Sequence, residues 1–83
     1  MNKILIIVIV PMIEMEYEIY IPINKKIGTI KELIIKAITE LSDNEINATF
    51  NLTLYDNDTG NILLNDFYVK DSNLVNGTKL VLI

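Results

Sequence analysis

One stretch of helical periodicity, set in a chain that otherwise reads as strand, constrains this sequence more than any other feature. Residues 29–41 run TIKELIIKAITEL. Ile30, Leu33, Ile34, Ala37, Ile38 and Leu41 recur at the spacing of one face of a 3.6-residue helix. Ile35 falls off that stripe, roughly 140° from Ile30 at 100° per residue. Thr29 can accept from the backbone N–H of Glu32 while Glu32 reaches back, a capping box that predicts the helix start. Gly28 precedes it as a flexible entry. A lone helix with one apolar face needs a sheet to bury it.

The flanking segments supply that sheet. Residues 4–10 are apolar on both faces, and all but Leu5 are β-branched. That is the composition of a central strand, and Pro11 should end it. The lysine and apolar run at the start have the outline of a short signal peptide. No small-residue cleavage site follows, and the run is far below the ~20 residues that span a bilayer. The chain is therefore expected to be cytoplasmic, with no direct membrane insertion.

Residues 14–21 alternate: Glu14, Glu16, Glu18 and Tyr20 on one face, Met15, Tyr17, Ile19 and Ile21 on the other. This predicts a half-buried strand with an acidic row outward, a pattern that discourages edge pairing. Residues 22–28 read as a loop carrying Lys25 and Lys26, and the helix should end near Ser42–Asn44. Residues 43–49 are polar and irregular. Residues 50–55 alternate again, with Phe50, Leu52 and Leu54 inward and Asn51, Thr53 and Tyr55 outward. Residues 56–60, DNDTG, form a hairpin turn with Gly60 at positive φ. A short strand over 62–64, a tight turn or 3₁₀ segment over 71–75, and the Asn76-Gly77 turn follow. Residues 78–83 make the last strand. The first and last strands, being the most apolar, should lie side by side, parallel, in the centre.

Composition narrows function mostly by exclusion. The 83 residues make one domain with one core. Histidine, cysteine and arginine are absent, which removes the commonest general base, thiolate chemistry and bidentate anion recognition. Seven lysines against 11 acids give a net charge of −4, a poor match to nucleic acid. Asp56, Asp58 and Gly60 hint at a calcium loop, but Asn61 stands where that loop needs glycine and no Glu closes it. Asn47, Asn51, Asn57 and Asn76 each begin an Asn-x-Thr sequon, read as chance in a chain rich in Asn. The expectation is no enzyme, no cofactor and no metal. A carboxylate pair in a concave pocket would be the feature that contradicts it.

What remains after the core is filled is an apolar sheet face. If Leu80 and Leu82 point at the helix, Val81 and Ile83 point away, as does one parity of residues 4–10. Ile7, Ile9, Val81 and Ile83, with Lys79 at the rim, are the candidate protein-binding residues; the parity of Ile7 and Ile9 depends on the turn near Pro11. A contiguous patch of this kind marks a partner surface. The alternatives are a homodimer through the same face, or a loop or the N-terminus folded over it.

The order strand, strand, helix, strand, short strand, strand, with TIKELIIKAITEL as its helix and NLVNGTKLVLI as its close, resembles the ubiquitin-like β-grasp fold. The resemblance covers residues 1–83 as a single ubiquitin-like domain. It implies an α+β architecture: a mixed sheet of four to five strands with one main helix packed across it. Within that fold the chain looks most like the small bacterial YukD/EsaB group, associated with type VII (WXG100, ESX-like) secretion. The group implies a cytoplasmic accessory or regulatory factor that works through protein contacts, with a secretion component as partner. Conjugating ubiquitins and sulfur carriers need a C-terminal Gly-Gly on a free tail. The sequence ends at Ile83 within a strand, so the expectation is a non-conjugating protein.

Overall fold

The computed structural model describes residues 2–42 and 52–83. The expectations for Asp43, Asn44, Asn47, Thr49, Phe50 and Asn51 concern residues outside these ranges. In chain order the elements are β1 (Lys3–Val10), β2 (Met15–Pro22), α1 (Ile27–Leu41), β3 (Leu54–Asp56) and β4 (Thr78–Leu82). Short 3₁₀ turns occupy Pro11–Ile13 and Val69–Asp71.

The strands form one four-stranded mixed sheet in the order β2-β1-β4-β3. β1 pairs antiparallel with β2 and parallel with β4, and β3 pairs antiparallel with β4. The two most apolar strands are the central pair, as their composition demands. The expected strand over 62–64 reduces to a single bridge between Tyr55 and Ile62.

The Asn76-Gly77 turn stitches that central pair together. Gly77, at φ +88°, donates its N–H to the carbonyl of Leu5 at 2.8 Å, and Asn76 Oδ1 accepts from the Leu5 N–H at 2.8 Å. Both backbone groups of Leu5 are thereby spent on the start of β4, which sets the parallel register. At the other turn, Glu14 stands in the left-handed region at φ +54°, so it belongs to the β1–β2 connection and not to the strand.

The helix lies against the sheet and buries Ile27, Ile30, Ile34 and Ile38 onto Ile6, Val8, Val10, Leu80 and Leu82. Burying each such side chain contributes about 1.5–3 kcal/mol. Two expectations for α1 are corrected. The buried stripe is rotated toward Ile35, which packs half-buried against the core, while Leu33 and Leu41 are exposed. The capping box does not form. The helix starts at Ile27, with Lys26 as its N-cap and no side-chain cap, so Thr29 sits inside the first turn.

The reason is tertiary. Ile27 donates to the carbonyl of Phe67 at 2.8 Å and Gly28 to that of Asn65 at 3.0 Å. The loop over residues 65–67 thus satisfies the donors that a Ser or Thr cap would otherwise serve. Gly28 is needed for close approach and not for flexibility: a Cβ there would stand 3.3 Å from the Asn65 Cβ.

Candidate protein-binding face

Strand alternation decides which side chains meet on the face away from α1. In β1, Ile6, Val8 and Val10 are buried under the helix, which leaves Leu5, Ile7 and Ile9 on the outer face, half-buried. In β4, Leu80 and Leu82 point inward, and Lys79, Val81 and Ile83 point out. The parity left open by the turn at Pro11 is thus settled: Ile7 and Ile9 share a face with Lys79, Val81 and Ile83.

Register then arranges them in rows. Ile7 lies between Glu18 of β2 and Lys79 of β4. Ile9 lies between Glu16 and Val81, and Val81 is followed by Tyr55 of β3. Leu5 lies beside Tyr20, which is 66% exposed. Ile83 exchanges backbone bonds with Thr53, at 3.0 and 2.8 Å, and extends the β3–β4 ladder past its last regular residue. The result is an apolar centre of Leu5, Ile7, Ile9 and Val81 with aromatic side chains at both flanks. Lys79, exposed, lies directly beside Ile7. Leu5, Tyr20 and Tyr55 were missed as members of the face. Alternation placed the tyrosines outward, but only the register across four strands brings them to one patch.

A concavity lies at the β3 end of the molecule. It is an open depression of about 230 Å³ between the 56–61 turn and the segment that holds Asp71, with Ile62, Leu64 and Phe67 in its lining. Asp56 and Asp71 both border it. Asp56 is already engaged, because its Oδ1 accepts from the backbone N–H groups of Asp58 at 2.8 Å and Thr59 at 3.3 Å. That is an Asx turn, the structural use of a short carboxylate. The same bonds explain the Asp56–Gly60 pattern that resembles a calcium loop. Among the described residues no group of three or more Asp, Glu, His or Cys is placed to hold a metal ion, and no helix is long and apolar enough to cross a membrane.

One helix across a four-stranded mixed sheet in this order, with the outer strands antiparallel to a parallel central pair, defines the ubiquitin-like β-grasp fold. Comparison with known structures bears this out. The ubiquitin-like domain of ECCD1, a type VII secretion system protein of Mycobacterium tuberculosis, superposes with a TM-score of 0.78 at 13% identity, covering 100% of this chain and 99% of that one. A chain of the MycP5-free ESX-5 inner membrane complex gives a TM-score of 0.81 at 13% identity; it covers all of this chain, which spans only 21% of that component. The ubiquitin-like domain of an Arabidopsis thaliana protein gives 0.71 at 15% identity, covering 100% of this chain and 78% of that one. Identities this low establish the fold alone. No protein-family model and no curated protein sequence matches the chain.

Proposed function

We propose that this chain is a non-conjugating ubiquitin-like protein of the YukD/EsaB kind, an accessory or regulatory factor of a bacterial type VII-like secretion apparatus. It acts in the cytoplasm by binding another protein non-covalently, without enzymatic activity, nucleic acid or membrane insertion. The observation that carries this reading is the outer sheet face, where Leu5, Ile7, Ile9 and Val81 form a contiguous apolar centre on a rigid ladder. Such a patch serves recognition better than stability. Two further supports are weaker. Type VII components are among the structures that share the fold. The absence of His, Cys and Arg leaves little for catalysis.

The test is affinity capture of the tagged protein from native lysate with solubilised membranes, with Val81→Asp in parallel and the captured proteins identified by mass spectrometry. The expected result is a secretion component retained by wild type, released by denaturant alone, and lost with Val81→Asp. A folded Val81→Asp variant that retains the same component would remove the outer face from the reading. A covalent adduct would overturn the non-conjugating part.

A second reading is homodimerisation through the same face. It is favoured by the row Glu18–Ile7–Lys79, in which opposite charges flank an apolar residue and can meet across a two-fold axis. Light scattering separates the two: a monomer mass at every concentration rejects the dimer.

A further inference from the structure

The two edges of the sheet are treated differently. Outside β3 the chain covers its own edge: Asp56 donates to the carbonyl of Asn61 at 2.9 Å and Leu63 donates to that of Leu54 at 2.9 Å, around the Tyr55–Ile62 bridge. Outside β2, among the described residues, nothing pairs. β2 is the longer edge, eight residues against three, and no bulge or internal proline interrupts it.

Which backbone groups it presents follows from the ladder. Ile23 donates to the carbonyl of Asn2 at 2.9 Å, and antiparallel pairs alternate between bonded and non-bonded. Met15, Tyr17, Ile19 and Ile21 therefore turn their N–H and C=O groups toward β1. Glu16, Glu18 and Tyr20 turn theirs to the open side. Leu5, opposite Tyr20, agrees, since both its groups are bonded to Asn76 and Gly77 on the β4 side.

The side chains along this edge are specific in chemistry. On the outer face stand Glu16 and Glu18, both exposed, and Tyr20. On the inner face Tyr17 and Ile19 are only half-buried and Met15 is 47% exposed, whereas Ile6, Val8 and Val10 in the adjacent strand are fully buried. Among the described residues the core is thus open sideways along β2. Two copies paired antiparallel through β2 about Tyr17 would set Glu16 against Glu18 twice, and like charges opposed on a sheet face are destabilising.

We propose that the β2 edge receives an extended segment of a partner protein as a fifth strand, a segment that alternates Lys or Arg with aliphatic residues. Its main chain bonds to Glu16, Glu18 and Tyr20. Its cations face Glu16 and Glu18 and stack on the Tyr20 ring. Its aliphatic side chains close the core beside Met15, Tyr17 and Ile19. This site shares the side chains of Tyr20 and Glu18 with the margin of the outer-face patch but is defined by the open backbone groups of β2, and its test does not depend on any secretion role.

The probe is a synthetic eight-residue peptide of alternating Lys and Val, with an alternating Glu and Val peptide as control, titrated into the 15N-labelled protein at low salt. The expected result is saturable binding of the Lys–Val peptide, with the Glu16, Glu18 and Tyr20 amides shifted and slowed in hydrogen exchange. Glu18→Pro removes one edge donor without touching the β1 ladder and should weaken binding by about tenfold or more. Because that variant could disturb β2, the pair Glu16→Lys with Glu18→Lys is a second arm, and it should reverse the preference toward the Glu–Val peptide. Equal binding of both peptides, no binding at millimolar concentration, shifts confined to the outer face, or unchanged affinity in a folded Glu18→Pro protein would each overturn the proposal. So would protection of the same amides by self-association without peptide.

Discussion

Ile6 and Ile7 are neighbours of the same chemical type on the same strand, yet one is fully buried and the other half-exposed. The difference runs along both central strands. Ile6, Val8, Val10, Leu80 and Leu82 meet the helix, while Leu5, Ile7, Ile9 and Val81 have as partners only their neighbours across the ladder, Tyr20, Glu18, Lys79, Glu16 and Tyr55 among them. Apolar character alone therefore does not mark a core. The inner face contributes to folding free energy because α1 completes its burial. The outer face gains only what adjacent side chains on a pleated sheet shield from water, and the rest of its apolar area stays available to a partner.

That contrast can be broken most directly at the core. Ile34→Ala and Leu80→Ala, each at a fully covered site, should cost about 2–5 kcal/mol in urea unfolding. Such a loss threatens the fold of so small a domain, so Ile34→Val, at about 0.5–1.5 kcal/mol, is the measurable companion. The next largest effect belongs to the joint between the central strands. Gly77→Ala forces a side chain to φ +88° and should cost about 1–3 kcal/mol by the same measurement. Asn76→Ala removes the acceptor for the Leu5 N–H; about 1 kcal/mol and faster exchange of the Leu5 amide are expected. The smallest effect is Ile7→Thr on the outer face, expected within about 1 kcal/mol while partner capture falls. If Ile7→Thr cost as much as Ile34→Ala, the outer face would be a second core and the contrast would fail.

The elements legible in the sequence were those whose pattern is set by their own residues. β1 and β4 announced themselves as central by being apolar on both faces, and the acids of β2 announced its exposed row. The Asn76-Gly77 and Asp56–Gly60 turns were legible because glycine at positive φ and a carboxylate bonding to the backbone are local chemistry. What was missed depends on distant partners. The start of α1 was misplaced because its donors are satisfied by carbonyls of Phe67 and Asn65, nearly forty residues away in sequence, and no local signal reports that. The helix face was read about one flank off, because Leu33 and Leu41 fit the period as well as Ile35 does, and only the sheet's position chooses between them. Of the candidate site, Val81, Ile83 and Lys79 followed from β4, whereas the parity of Ile7 and Ile9 needed the left-handed turn at Glu14. Nothing in the composition shows that one sheet edge is covered by residues 61–63 while the other, among the described residues, has no pairing strand.

The parallel pairing of β1 with β4 also carries a kinetic consequence. The hydrogen bond from Leu5 to Asn76 joins residues 71 positions apart. During synthesis the β1–β2 hairpin and α1 leave the ribosome first, and the β4 side of β1 stays unpaired until the last strand emerges. Closing so long a loop is entropically costly and slows folding relative to local pairing. Until β4 forms, one side of β1 thus presents a nearly continuous aliphatic strand edge, and the pairing of β4 with β1 is the step that completes the centre of the sheet.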